Sequence, residues 1–125
     1  MIDLKHKIDE RLDELIEMAR ELVENTGIYE KVEESQIRNI LNMASAVDSV
    51  KVLEIFIQYQ MGRRRIPKEF GDKLVENVLD LEEWAKGIAD DESQRRQAWL
   101  HLVRLYLGYL NMYFVYKRKI WRDKE

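Results

Sequence analysis

The chain has 125 residues, 46% hydrophobic and 10% aromatic, with no cysteine and a formal net charge of -3. These values suit one domain with a real core, exclude a disordered tail, and leave no thiol for a disulfide framework or a thiolate metal site. No secretory leader is expected either, because MIDLKHKIDERLDEL mixes charged and apolar residues without a continuous apolar run.

Apolar residues recur at helical spacing almost throughout, and no strand-like alternation of useful length interrupts them. The expected fold is all-α, a compact bundle of about five helices in a single domain spanning residues 1–125. A first helix is expected from about Leu4 to Glu24, with Ile8, Leu12, Leu15, Ala19 and Leu22 as its apolar stripe and Gly27 as its stop. The second begins at Ser35 as N-cap and turns Ile37, Ile40, Leu41, Ala44 and Val47 inward. The third runs from about Ser49 to Met61, carries Leu53, Phe56, Ile57 and Gln60 on one side, and ends at Gly62. Three arginines follow at once. Pro67 then suits the first turn of a fourth helix with the stripe Phe70, Leu74, Val78, Leu81, Ala85 and Ile88.

The run ADDES supplies acids and Ser93 to the start of a long aromatic last helix reaching about Trp121, whose end gathers Lys117, Arg118, Lys119 and Arg122 where the helix dipole favours cations. Tyr106, Tyr109, Tyr113 and Tyr116 form one stripe on it; Val103, Leu107, Leu110 and Phe114 form a second, about 100° away. Such a helix either sits at the centre of the bundle or offers one face to another chain. His101, Arg104 and Asn111 interrupt its apolar run, so it reads as a buried helix of a soluble protein and not as a membrane span.

Charge is unevenly spread. Residues 1–34 hold 11 acids and 5 bases, whereas residues 95–125 hold 8 bases and 2 acids. Asp and Glu are absent from Ser35 to Val47, from Ile55 to Lys68 and from Ser93 to Arg122. Burial accounts for much of the third window. It does not account for GRRRIPK, nor easily for Arg38, Asn39, Asn42 and Ser45, an outward face of donors and small polar groups. Phosphate is the ligand that disfavours carboxylates and rewards Arg, Lys and amide donors. The competing explanation is that Arg63 to Arg65 meet only the last carbonyls of the third helix and solvent.

Catalytic patterns are sparse. The acidic runs at Glu82–Glu83 and Asp90–Glu92 read as solvated faces, neither histidine stands at metal-ligand spacing, and no phosphate loop or nucleophile elbow occurs. No cofactor is expected. RRQAWLH sets Arg95 and Arg96 ahead of His101 in a way that resembles the R-x4-6-H signature of HEPN-domain ribonucleases. In that chemistry the histidine exchanges a proton at the ribose 2′-hydroxyl or the leaving oxygen while an arginine holds phosphate.

A broader resemblance covers residues 33–118. SQIRNILNMA at 35–44, EIFIQYQMGRRRIPKEF at 54–70 and WLHLVRLYLGYLNMYFVYK at 99–117 resemble, in order and spacing, the small subunit of the Csm complex, the type III-A CRISPR effector. The resemblance implies a non-catalytic, cytoplasmic RNA-binding subunit. It implies stacking of several copies along guide and target RNA, beside the crRNA-bearing backbone subunits and the large subunit, which hold the nuclease and cyclase activities. Arg38 and Asn39 correspond to the family's R-N pair and Arg63 to the arginine of its G-R turn; Arg64, Arg65 and Lys68 extend the expected RNA-binding surface on charge alone. Two departures stand out: Asn111 occupies a position often basic in the family, and the N-terminal helix is unusually acidic, which suits contact with protein neighbours. The small subunit of the related Cmr complex, a HEPN-like ribonuclease and a homodimeric helical module that uses the Tyr106 to Tyr116 face remain as alternatives.

Overall fold

Helical periodicity carries through residues 4–124, the part of the chain that the computed structural model describes; residues 1–3 and 125, the ends of the expected 1–125 domain, lie outside it. Every regular element among the described residues is helical: α1 (Leu4–Asp9), α2 (Leu12–Thr26), a 3-10 turn (Ile28–Glu30), α3 (Glu34–Ala46), α4 (Val50–Gly62), α5 (Lys68–Ile88) and α6 (Glu92–Asp123). The 32-residue α6 is the hub, packing against α2, α3, α4, α5 and the 3-10 turn. Among these residues no helix is long and apolar enough to cross a membrane.

The expected first helix is two. Continuity breaks at Arg11 (φ -113°, ψ 8°) although neither glycine nor proline is present. Tertiary contacts supply the reason. The Arg11 guanidinium lies 3.6 Å from the centre of the Trp84 ring and bonds Glu14 at 2.8 Å. The resulting bend lets α1 bury Ile8 and lets Lys7 Nζ donate to the Ile88 carbonyl at 3.1 Å, at the end of α5. Gly27 closes α2 in the left-handed region at φ 62°.

The stripe expected for α5 is wholly buried, from Phe70 through Ile88. The tyrosine stripe of α6 is not uniform. Tyr106 is fully buried, where its hydroxyl accepts from Asn77 Nδ2 at 2.8 Å and burial pushes its pKa upward. Tyr109 and Tyr113 are half-buried and Tyr116 is exposed, so core and surface share the stripe. His101, within the apolar stretch, is exposed and not a core residue.

Two arginines of the acid-free last window hold α3 in place. Arg118, only 6% exposed, donates to the Tyr29 carbonyl and to Glu33 Oε2, both at 2.9 Å, at the start of α3. Arg104 donates to the carbonyls of Ala44 and Val47, both at 2.8 Å, at its end. The fourteen-residue step from Arg104 to Arg118 spans about 21 Å of helix, close to the length of α3 itself. Antiparallel packing thus satisfies carbonyls that the C-terminus of α3 leaves without helical partners.

The N-cap expected at Ser35 is instead Glu33. Gln36 Oε1 accepts from the Glu33 N–H at 2.7 Å, the return half of a capping box, and Ser35 lies inside the helix.

Candidate nucleic-acid interface

The turn that carries the three arginines is built by an unusual helix end. Gly62 is the last residue of α4 and has no positive φ; the left-handed position belongs to Arg64, at φ 61°. The helix therefore ends at Gly62 as expected, while the left-handed residue of its closure is Arg64. The Arg64 N–H bonds the Met61 carbonyl at 3.0 Å, and the Arg65 N–H bonds the Gln60 carbonyl at 2.9 Å. This is the paired closure of a Schellman motif, with arginine where glycine is usual. A side chain in that conformation costs roughly 1–2 kcal/mol. The turn tolerates the cost because it is anchored on both sides. Ile66 is 1% exposed in the core, Pro67 precedes α5, and a Cβ on Gly71 would lie 2.4 Å from Met61 Sδ, so glycine there lets the Met61 side chain pack directly on α5.

On this frame the predicted residues divide into two adjoining hollows. Asn39 of α3 meets Arg63 and Arg65 of the turn around a hollow of about 110 Å³, completed by Gln36, Gln60 and Ile66. Arg64 and Lys68 line a second hollow of about 270 Å³ with Lys31 and, shared with the first, Gln36 and Arg65. Arg38 lines neither and stands exposed on α3.

Among the described residues no carboxylate lies within ion-pair distance of Arg38, Arg63, Arg64 or Arg65, whereas Lys68 pairs with Asp72 at 2.5 Å on an exposed face. Arg63 also lies 5.2 Å from the ring centre of the exposed Tyr59. The arginines of the turn therefore keep their forks available to an anion.

Sequence reasoning placed Gln60 on the inward stripe of its helix but gave it no role. It is 9% exposed, and its Oε1 is buried without a hydrogen-bond partner. The signal was present: a long polar side chain one turn after Ile57 on an apolar stripe. Gln36 and Lys31 were missed because their proximity to the turn depends on how α3 packs on α4, whereas Tyr59, four residues before Arg63, the C-cap of the same helix, was within reach of helical spacing.

Other cations are committed elsewhere. Lys117 pairs with Glu24 at 3.0 Å, Lys119 lies 3.9 Å from Glu34, and Arg95 donates to the Ala89 carbonyl at 2.8 Å. The end of α6 thus meets carboxylates of α2 and α3 as well as its own dipole. Arg96 and His101 are exposed about 140° apart around α6 and share no face of it. No three His, Asp or Glu side chains among the described residues gather as a possible metal site.

No protein-family model, curated protein or solved structure matches this chain.

Proposed function

We propose that this chain is a non-catalytic, RNA-binding small subunit of a type III-A CRISPR effector of the Csm kind, contacting the RNA backbone without reading its sequence. The observation that carries the reading is the meeting of two remote, acid-free segments: Asn39 from one, Arg63 and Arg65 from the other, around a single polar hollow. Guanidinium forks grip phosphate at two oxygens, and amide groups beside them add neutral donors. The strained Arg64 supports the same reading, since glycine would close the helix more cheaply and arginine adds only charge there.

An exposed apolar stripe on α4, Val52, Ile55 and Tyr59, at 45%, 66% and 55% exposure, supports a subunit that also touches protein neighbours. One bridge to RNA on a net acidic chain offers few phosphate contacts, and stacked copies would supply the avidity.

The test is co-purification from the native host. CRISPR RNA and the large effector subunits are expected with the tagged chain, and an Arg38→Ala, Arg63→Ala variant is expected to retain RNA less well for unrelated guides alike. A chain that purifies free of RNA and of those subunits would refute the assignment.

A further inference from the structure

Gln60 sits at the junction of the two segments that form the smaller hollow. Its amide carbonyl is an acceptor, buried and without a partner, and the residue lines a hollow whose other polar side chains, Gln36, Asn39, Arg63 and Arg65, all carry donors. An unsatisfied buried acceptor is costly to leave, and native proteins seldom keep one without a reason. A backbone phosphodiester alone does not supply what is missing. It satisfies the guanidiniums, but its oxygens bring no proton to a carbonyl. The ligand that fits must carry an anion and, beside it, a neutral hydroxyl that can donate. A nucleobase N–H could donate too, but the base stands across the sugar from the phosphate, whereas the 2′-hydroxyl stands beside it, so one hollow of about 110 Å³ can receive that hydroxyl and the neighbouring phosphate oxygens together.

We infer that this hollow is a seat for one ribose-phosphate step of RNA, in which Gln60 Oε1 accepts from a 2′-hydroxyl while Arg63 and Arg65 hold the adjacent phosphate. The inference rests on the RNA-binding reading and deepens it, because it assigns discrimination between RNA and DNA to a named side chain. The 2′-hydroxyl is the group that distinguishes the two backbones, and it lies next to the 3′-phosphate, as the site requires. Arg63 and Arg65 would bind either nucleic acid; Gln60 would reward only RNA.

The experiment is fluorescence anisotropy with the whole chain at low salt and three short single strands of one sequence: RNA, DNA and 2′-fluoro RNA. Fluorine favours the RNA-like sugar pucker but cannot donate, so the fluoro strand separates hydroxyl donation from backbone shape. The wild-type chain should bind RNA about five- to tenfold more tightly than either other strand, the worth of one hydrogen bond. Gln60→Leu should erase that preference and leave the affinity for DNA unchanged; it removes an unpaired acceptor at similar volume, and a thermal melt checks that it folds. The three strands on the wild-type chain test the inference without any variant.

Equal binding of all three strands by the wild type, or a preference for RNA that survives Gln60→Leu, overturns the inference. If the joint Arg63→Ala, Arg65→Ala variant still weakens every strand, the RNA-binding surface stands without the sugar selectivity. If no strand binds and the arginine variant changes nothing, both readings fail together.

Discussion

The arginines between α4 and α5 and the cations of α6 from Arg104 onward come from equally acid-free stretches, yet they meet opposite surroundings. Arg104 and Arg118 end on backbone carbonyls and on Glu33, and Lys117 ends on Glu24. Among the described residues, Arg63, Arg64 and Arg65 meet no carboxylate. The first group fastens helices; the second faces outward. A basic stretch therefore reports a binding surface only after its internal partners have been counted, because each internal ion pair removes a charge that a phosphate would otherwise use.

The sharpest way to break this contrast is to exchange roles. Arg118→Ala should destabilise the fold by about 2–4 kcal/mol in urea titration, since two charge-assisted bonds made by a buried guanidinium are lost together. A loss comparable with that of an exposed surface arginine would show that Arg118 is not a fastener. The paired variant Arg63→Ala, Arg65→Ala should behave the other way. Its stability should change by less than about 0.5 kcal/mol, while the slope of log affinity for RNA against log salt should flatten by about 1 to 2.

Arg64→Gly should move the two readouts in opposite directions. Relief of the left-handed conformation should raise stability by roughly 1 kcal/mol, and the lost cation should weaken RNA binding. A variant that gains stability and keeps full RNA affinity would leave the strained arginine without a purpose. Gly62→Ala is the control within the same turn. Its Cβ meets nothing within 4 Å, so stability should rise by about 0.5–1 kcal/mol, with RNA binding unchanged.

The smallest effect is expected from the pH dependence of the fastening group. Hydrogen bonds from Tyr113 and Lys117 lower the pKa of Glu24 below its ordinary value. A carboxylate with a lowered folded pKa adds stability that is fully present above its unfolded pKa and is lost as pH falls through the folded one. The stability difference between wild type and Glu24→Gln should therefore shrink on acidification below the usual carboxylate range. Solvent keeps it small, because Glu24 and Lys117 are both near the surface. Acid-range urea titrations that show no narrowing would remove Glu24 from the fastening set.

Much of the fold was legible along the chain. The α5 stripe, the start of the last helix near Asp91 and the left-handed stop at Gly27 follow from periodicity and capping chemistry, which act over a few neighbouring residues. The misreadings share one cause. The bend at Arg11 depends on Trp84, more than seventy positions away, and the true cap of α3, Glu33, is held by Arg118 from the far end of the chain. The end of α4 at Gly62 was legible, but not that Arg64, two positions later, takes the left-handed place that glycine usually fills.

The candidate surface divides in the same way. Residue order by itself determined that the chain is helical, where most helices lie, and that carboxylates avoid the segments around Arg38 and Arg63 to Arg65. Only tertiary structure decided which cations are free, that Asn39 rather than Arg38 joins Arg63 and Arg65 at one hollow, and that Gln60 lies there with an unpaired carbonyl. Local patterns record hydrogen bonds made within a turn or two of helix. The partners of a charge or a buried amide come from whichever helices the core packs beside it, and that choice is written in no single stretch of the chain.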